Sequence, residues 1–131
     1  DIRYNTRHNR AQFYQDLTIP FFGYNREGVE IKKSIQDNWW RQGMMGGIKA
    51  QYDCIEVFSE TDFTEDLKSV TIPVLVLHGD DDQIVPYETT AVKAAELLQN
   101  GKLIIYPGFS HGMPTTEAET INKDILEFIN A

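Results

Sequence analysis

The stretch Val74-Leu75-Val76-Leu77-His78-Gly79-Asp80-Asp81-Asp82-Gln83-Ile84-Val85-Pro86 decides the fold class. Its first four residues are β-branched and aliphatic without polar alternation, the pattern of a strand covered by helices on both faces. Pro73 stands at the strand start, where a missing N–H is tolerated. His78 to Gln83 form a polar turn. Pro86 is placed to open a helix whose apolar stripe is Ala91, Ala94, Ala95 and Leu98, closed by Asn100-Gly101. Leu103-Ile104-Ile105-Tyr106 reads as a second strand. The loop Pro107-Gly108-Phe109-Ser110-His111-Gly112-Met113-Pro114 leads to a last helix, with Thr116 and Glu119 at capping-box spacing. Ala118, Ile121, Ile125, Phe128 and Ile129 supply that helix's buried face. The order β-α-β-α, with parallel strands joined by a crossover helix, places the chain in the α/β class.

Two strands are fewer than a sheet ordinarily needs. Either further strands come from another chain, or the sequence is the C-terminal part of a larger domain, which is the favoured reading. The chain also opens without an initiator Met, as expected of a processed product or a fragment. Residues 1–68 differ in kind from residues 69–131 and read as helices and loops. Ile31, Ile35 and Trp39 share one helical face, as do Ile48, Tyr52, Ile55 and Phe58, with Gly43 and Gly46-Gly47 between the two segments. A short helix is expected over 9–16. Thr18 to Asn25 is unusually aromatic for a loop. Ten of the fifteen aromatic residues fall within residues 1–58, which suits either the roof of a pocket or plain core.

At 131 residues the chain has the size of one domain, and its 41% hydrophobic and 24% charged residues exclude disorder. The formal net charge of −8 argues against nucleic acid as a partner. Residues 1–50 carry an excess of three positive charges, but these are scattered and read as solvated helix faces. No apolar run suits a membrane span, and no signal peptide opens the chain. Cys54 is the single cysteine, which excludes a disulfide framework or a thiolate metal site and fits the reducing cytoplasm. Its apolar neighbourhood predicts a small buried hydrophobe.

Ligands of open parallel sheets bind at the carboxyl ends of the strands. Here those ends carry Asp80, Asp81 and Asp82 on one loop, and Ser110 and His111 on the other. Neighbouring strands lie about 4.8 Å apart, so an Asp of the first loop can reach a His ring of the second. A carboxylate bonded to one imidazole nitrogen fixes the tautomer and frees the other nitrogen as a general base. The competing reading is plain turn formation by the aspartates and a solvated His111. A calcium loop is excluded because alternating ligand spacing is missing. Gly108-Phe109-Ser110-His111-Gly112 satisfies G-x-S-x-G, yet a nucleophile elbow needs an Asp and then a His later in the chain. No His follows His111.

The stretch from Val74 to Pro86 resembles the acid-bearing segment of cofactor-free haloperoxidases of the α/β-hydrolase superfamily, relatives of arylesterases and perhydrolases. Tyr106-Pro107-Gly108-Phe109-Ser110-His111-Gly112 resembles the segment bearing their histidine. Asp16 to Gly23, Trp39 to Gly46, and Tyr52 to Leu67 are similar to their helical cap. The resemblance implies the C-terminal part of an α/β-hydrolase fold, with a helical cap region over 1–68 and the β-α-β-α part of the core over 69–131. Its H-G-x-x-D pattern puts the acid of a Ser-His-Asp triad at Asp82, leaves Asp80 and Asp81 as turn residues, makes His78 structural, and puts the base at His111. Nothing here matches the family's nucleophile elbow, so the nucleophilic Ser is expected on an N-terminal half outside the chain.

The implied activity is ester hydrolysis, and peracid formation with halide oxidation through the peracid, on small esters or carboxylic acids with peroxide and without cofactor or metal. The chain by itself is expected to be nearly inactive, acting with a complementing chain or as a homo-oligomer. The alternative is a self-associating interaction domain paired through an open sheet edge.

Overall fold

Strand β1 (Val74–Gly79) pairs in parallel with β2 (Gly101–Tyr106), in a register that sets Val74 opposite Gly101 and Gly79 opposite Tyr106. The computed structural model describes residues 1–131, which divide into two compact units. The second unit holds Phe63–Ala131 together with Pro20–Gly23. Its elements after α4 (Thr64–Ser69) are β1, a single 3-10 turn at Tyr87–Thr89, α5 (Ala91–Leu97), β2, the short α6 (Met113–Thr116) and α7 (Ala118–Ile129).

The sheet has these two strands only. The aliphatic run was expected to be covered on both faces, but Val74 to Leu77 are half-buried. A two-stranded ribbon has no interior position, so continuous apolar residues cannot all be covered. The core gathers on Tyr106, Met113 and Ile121, with Leu77, Ile104, Phe109 and Ile125 packed against them. Ile121 and Ile125 belong to the predicted apolar face of α7, while Ile129 stays exposed. The Tyr106 and Phe109 rings stack with centroids 5.1 Å apart. The Tyr106 hydroxyl donates to the Asp124 carboxylate of α7. Burial and then that carboxylate push its phenol well above the ordinary value of 10.

Three boundaries differ from expectation. Pro86 precedes a 3-10 turn rather than opening the helix directly, and α5 ends at Leu97, before Asn100. Gly101 already belongs to β2. The expected capping box does not form. Thr116 closes α6, Glu117 caps α7 without a side-chain bond, and the Thr116 hydroxyl turns back to the Gly112 carbonyl.

The first unit holds Asp1–Ile19 and Tyr24–Asp62. Its helices are α1 (Ile2–Phe21, whose last two residues count in the second unit), α2 (Lys33–Met45) and α3 (Ile48–Glu60). The predicted helix over 9–16 is therefore part of a longer one, bent at Asn9 (φ −155, ψ 63). The expected aromatic loop from Thr18 is helical as far as Phe21. This unit is held by polar side chains as much as by apolar ones. Arg10 donates to the Gly46 carbonyl at 2.7 Å and to Gln51 Oε1 at 2.8 Å, and the Tyr14 hydroxyl donates to the same Gln51 oxygen at 2.9 Å. Trp40 Nε1 donates to the Ala11 carbonyl at 2.8 Å. Gly43 packs under the Tyr14 ring so closely that a Cβ would stand 2.9 Å from it. Cys54, predicted to be buried, is exposed. The α3 residues form an amphipathic face, but the apolar neighbours of Cys54 are themselves open to solvent at Val57 and Phe58. No helix is long and apolar enough to cross a membrane.

Candidate active site

Both loops at the carboxyl ends of β1 and β2 lie in the second unit, and backbone geometry brings them together. The Asp80 amide donates to the Tyr106 carbonyl at 3.0 Å, extending the ladder past Gly79. Asp80 Oδ1 accepts the Gly108 amide at 2.6 Å, so Asp80 is more than a turn former. It staples one loop to the other. Gly108 has φ +74, a left-handed conformation that disfavours any side chain. Gly79 permits a close approach: a Cβ there would lie 2.1 Å from the Phe109 carbonyl oxygen.

Asp82 sits at the centre of this junction with only 3% of its side chain exposed. Its Oδ1 accepts the amides of Ile84 and Val85, each at 2.9 Å. Its Oδ2 lies 2.7 Å from His111 Nδ1 and 3.0 Å from His78 Nε2. Burial pushes the carboxyl upward, but the Val85 amide, the His111 ring and the Ile84 amide outweigh it, and the net shift is below the ordinary value of 3.8. Asp82 is thus ionised at neutral pH and can only accept. His111 must donate from Nδ1, so in the neutral ring Nε2 is the nitrogen with the free lone pair. The His111 side chain is 32% exposed, open enough to meet a reacting group.

The segment Pro20–Gly23 completes the junction, and sequence reading placed no site residue there. The Phe21 ring meets the His111 imidazole edge-on, with centroids 4.6 Å apart. The Phe21 carbonyl accepts the Gly112 amide at 2.7 Å. Phe22 fills the space beside Gly112, where a Cβ would lie 2.2 Å from its ring. The density of aromatic residues in 18–25 was the available signal, but nothing local in it points to residue 111.

Asp82 and His111, the two predicted site residues, are therefore in direct hydrogen-bond contact. Asp80 bonds the opposite loop instead. Ser110 is 2% exposed and closed to a substrate, which counts against reading its motif as an elbow. No group of three or more His, Cys, Asp or Glu side chains is arranged to hold a metal ion. Hollows of about 350 and 380 Å³ in the first unit are lined by Arg7, Ile48 and Tyr52 and by Gln15, Trp40 and Arg41, respectively, and include neither Asp82 nor His111.

Comparison with known proteins shows the chain's family. A family model described as serine aminopeptidase, S33, matches residues 23–119. The chain is 60% identical over 132 aligned residues to a bifunctional esterase/perhydrolase of Acinetobacter calcoaceticus, covering all of this chain and 48% of that protein. It is 58% identical to a non-heme chloroperoxidase of Burkholderia pyrrocinia, over 94% of this chain and 45% of that protein. The crystal structure of a bromoperoxidase from Bacillus anthracis superposes with a TM-score of 0.92 at 30% identity, over 98% of this chain and 47% of that one. The chain thus spans about half the length of the curated relatives it matches. Its partial α/β fold and its family match agree: the chain belongs to the α/β-hydrolase superfamily, and it is similar there to proteins named non-haem haloperoxidases and esterase/perhydrolase.

Proposed function

We propose that this chain supplies the acid–base part of a serine-hydrolase centre, with His111 as the base and Asp82 as the group that orients it. The observation that carries the reading is the 2.7 Å bond from His111 Nδ1 to a nearly buried carboxylate, with Nε2 left over. The nucleophilic Ser would come from a segment outside this chain. The Ser hydroxyl attacks the ester carbonyl while His111 Nε2 takes its proton. The same nitrogen returns the proton to the departing alcohol, leaving an acyl-serine. Water attacking that acyl group gives the acid. Hydrogen peroxide attacking it gives the peracid, which transfers an oxygen to halide and leaves carboxylic acid and hypohalite. The relatives' names, esterase/perhydrolase and chloroperoxidase, support both branches.

Alone, the chain would be nearly inactive, because an Asp–His pair cannot form the acyl-serine. A cytoplasmic location is the companion reading, supported by the single unpaired cysteine. The test is complementation. The chain is mixed with the N-terminal half of a relative, and hydrolysis of p-nitrophenyl acetate is followed. Activity should appear with the wild-type chain and not with His111→Ala. Equal rescue by both would overturn the assignment.

A further inference from the structure

His78 is unused by this relay, yet its ring contacts the relay's centre. It stands near the end of β1, four residues before Asp82, with 15% of its side chain exposed. Its Nε2 lies 2.9 Å from the Val85 carbonyl oxygen and 3.0 Å from Asp82 Oδ2. A carbonyl oxygen only accepts, and so does an ionised carboxylate, so the proton must be on His78 Nε2. We propose that His78 is a positioning residue for the Asp82–His111 pair: its Nε2–H, shared between the Val85 carbonyl and Asp82 Oδ2, holds the carboxylate in the plane that presents Oδ2 to His111.

The Ile84 and Val85 amides pin Oδ1 but leave the carboxylate free to turn about that oxygen. His111 exchanges its proton at Nε2 and keeps its Nδ1–H on Oδ2, but it is itself the group that Asp82 orients, so an independent constraint on the carboxylate has to come from elsewhere. His78 supplies it from the strand. Val85 ties the arrangement together, its amide donating to Asp82 Oδ1 while its carbonyl accepts from His78. His78, Asp82 and Val85 thus close on one another, through the His78 bond to the Val85 carbonyl, the Val85 amide bond to Asp82 Oδ1 and the 3.0 Å approach of His78 Nε2 to Oδ2, without involving the base His111. The groups facing Asp82 are the two imidazoles and the two amides, so on this proposal His78 is a fourth donor beside His111, Ile84 and Val85. This inference deepens the acid–base reading above and rests on it.

The experiment is NMR on the 131-residue chain, with long-range ¹H–¹⁵N spectra for the histidine tautomers and the ¹³C shift of the Asp82 carboxyl followed against pH. Three forms are compared: wild type, His78→Phe and His78→Gln, whose amide nitrogen falls near the position of Nε2. The wild type should show His78 protonated at Nε2. The Asp82 pKa should rise by about one unit in His78→Phe, the loss of one hydrogen bond to the charged form. In His78→Gln it should return close to the wild-type value. A merely space-filling His78 would predict the reverse order, because Phe fills the site better than Gln. His78 protonated only at Nδ1, or an unchanged Asp82 titration in His78→Phe, would overturn the proposal. Should the Phe form not fold, the wild-type tautomer and the Gln form decide alone. A His111 ring lacking its proton at Nδ1 would sink the Asp82–His111 reading instead, and the same spectrum distinguishes the two failures.

Discussion

Asp82→Asn replaces one acceptor at the centre of the site with a donor. The amide keeps a carbonyl oxygen where Oδ1 accepts Ile84 and Val85 at 2.9 Å each, so the turn survives. Its NH₂ group falls where Oδ2 lies 2.7 Å from His111 Nδ1 and 3.0 Å from His78 Nε2. His78 can still give its proton to the Val85 carbonyl at 2.9 Å. His111 Nδ1 has Asp82 as its partner, so it relieves the donor-against-donor contact by surrendering its proton and accepting instead. The proton then sits on Nε2, and the ring can no longer take one from a nucleophile. Losing tautomer control in this way lowers kcat of a serine triad about 10⁴-fold, or about 5.5 kcal/mol of transition-state stabilisation. The assay is p-nitrophenyl acetate hydrolysis by the complemented enzyme, with kcat and KM separated. KM should move little, because the pair acts on the chemical step. A loss of kcat below tenfold, with His111 still protonated at Nδ1, would refute the reasoning.

Further outcomes follow from the same contacts. Gly79→Ala should destabilise the chain by about 3 kcal/mol, near the upper end of overpacking costs, because its Cβ meets a backbone carbonyl that cannot rotate away. Thermal unfolding should then show Tm lower by about 10 °C, and an unchanged Tm would contradict the close approach of the two loops. Asp82, with its folded pKa below 3.8, contributes stability that is fully present above the unfolded value and lost as pH falls through the folded one. Urea titrations of wild type and Asp82→Asn should therefore differ most above about pH 4 and converge in stronger acid. Divergence that grows toward low pH would reverse the sign. A fluorophosphonate probe should leave Ser110 of the isolated chain unlabelled, since that residue is 2% exposed. Peptide mapping that finds Ser110 modified would reinstate it as a nucleophile.

Where sequence reading failed, it failed on residues whose environment is set from afar. The interior of α1 is marked by Thr6, Tyr14 and Thr18, and two of these three are threonines, so a search for apolar periodicity passes over them. Thr18 is buried because its hydroxyl accepts from Gln36 at 2.7 Å and donates to the Gln15 carbonyl. Cys54 was misjudged because apolar neighbours in the chain need not be buried neighbours in space. Asp80 and His78 are ordinary at the level of composition, yet Asp80 accepts the Gly108 amide of the other loop and His78 bonds the Val85 carbonyl of its own. Phe21 and Phe22 lie about ninety positions from His111 and Gly112, and no local rule connects them.

Local chemistry alone determined the β-α-β-α order, the half of the chain that carries the strands, and the two polar loops at their carboxyl ends. Continuous aliphatic runs and Gly or Pro punctuation act over a few residues, so they can be read without coordinates. Spacing left three adjacent aspartates equivalent, and only family resemblance singled out Asp82. The tertiary structure separates them physically. The parallel register setting Gly79 beside Tyr106 brings residues 82 and 111 within one hydrogen bond while turning Asp80 onto the Gly108 amide. A bond across twenty-nine residues depends on strand register and turn shape together, and neither is a property of any short stretch of chain.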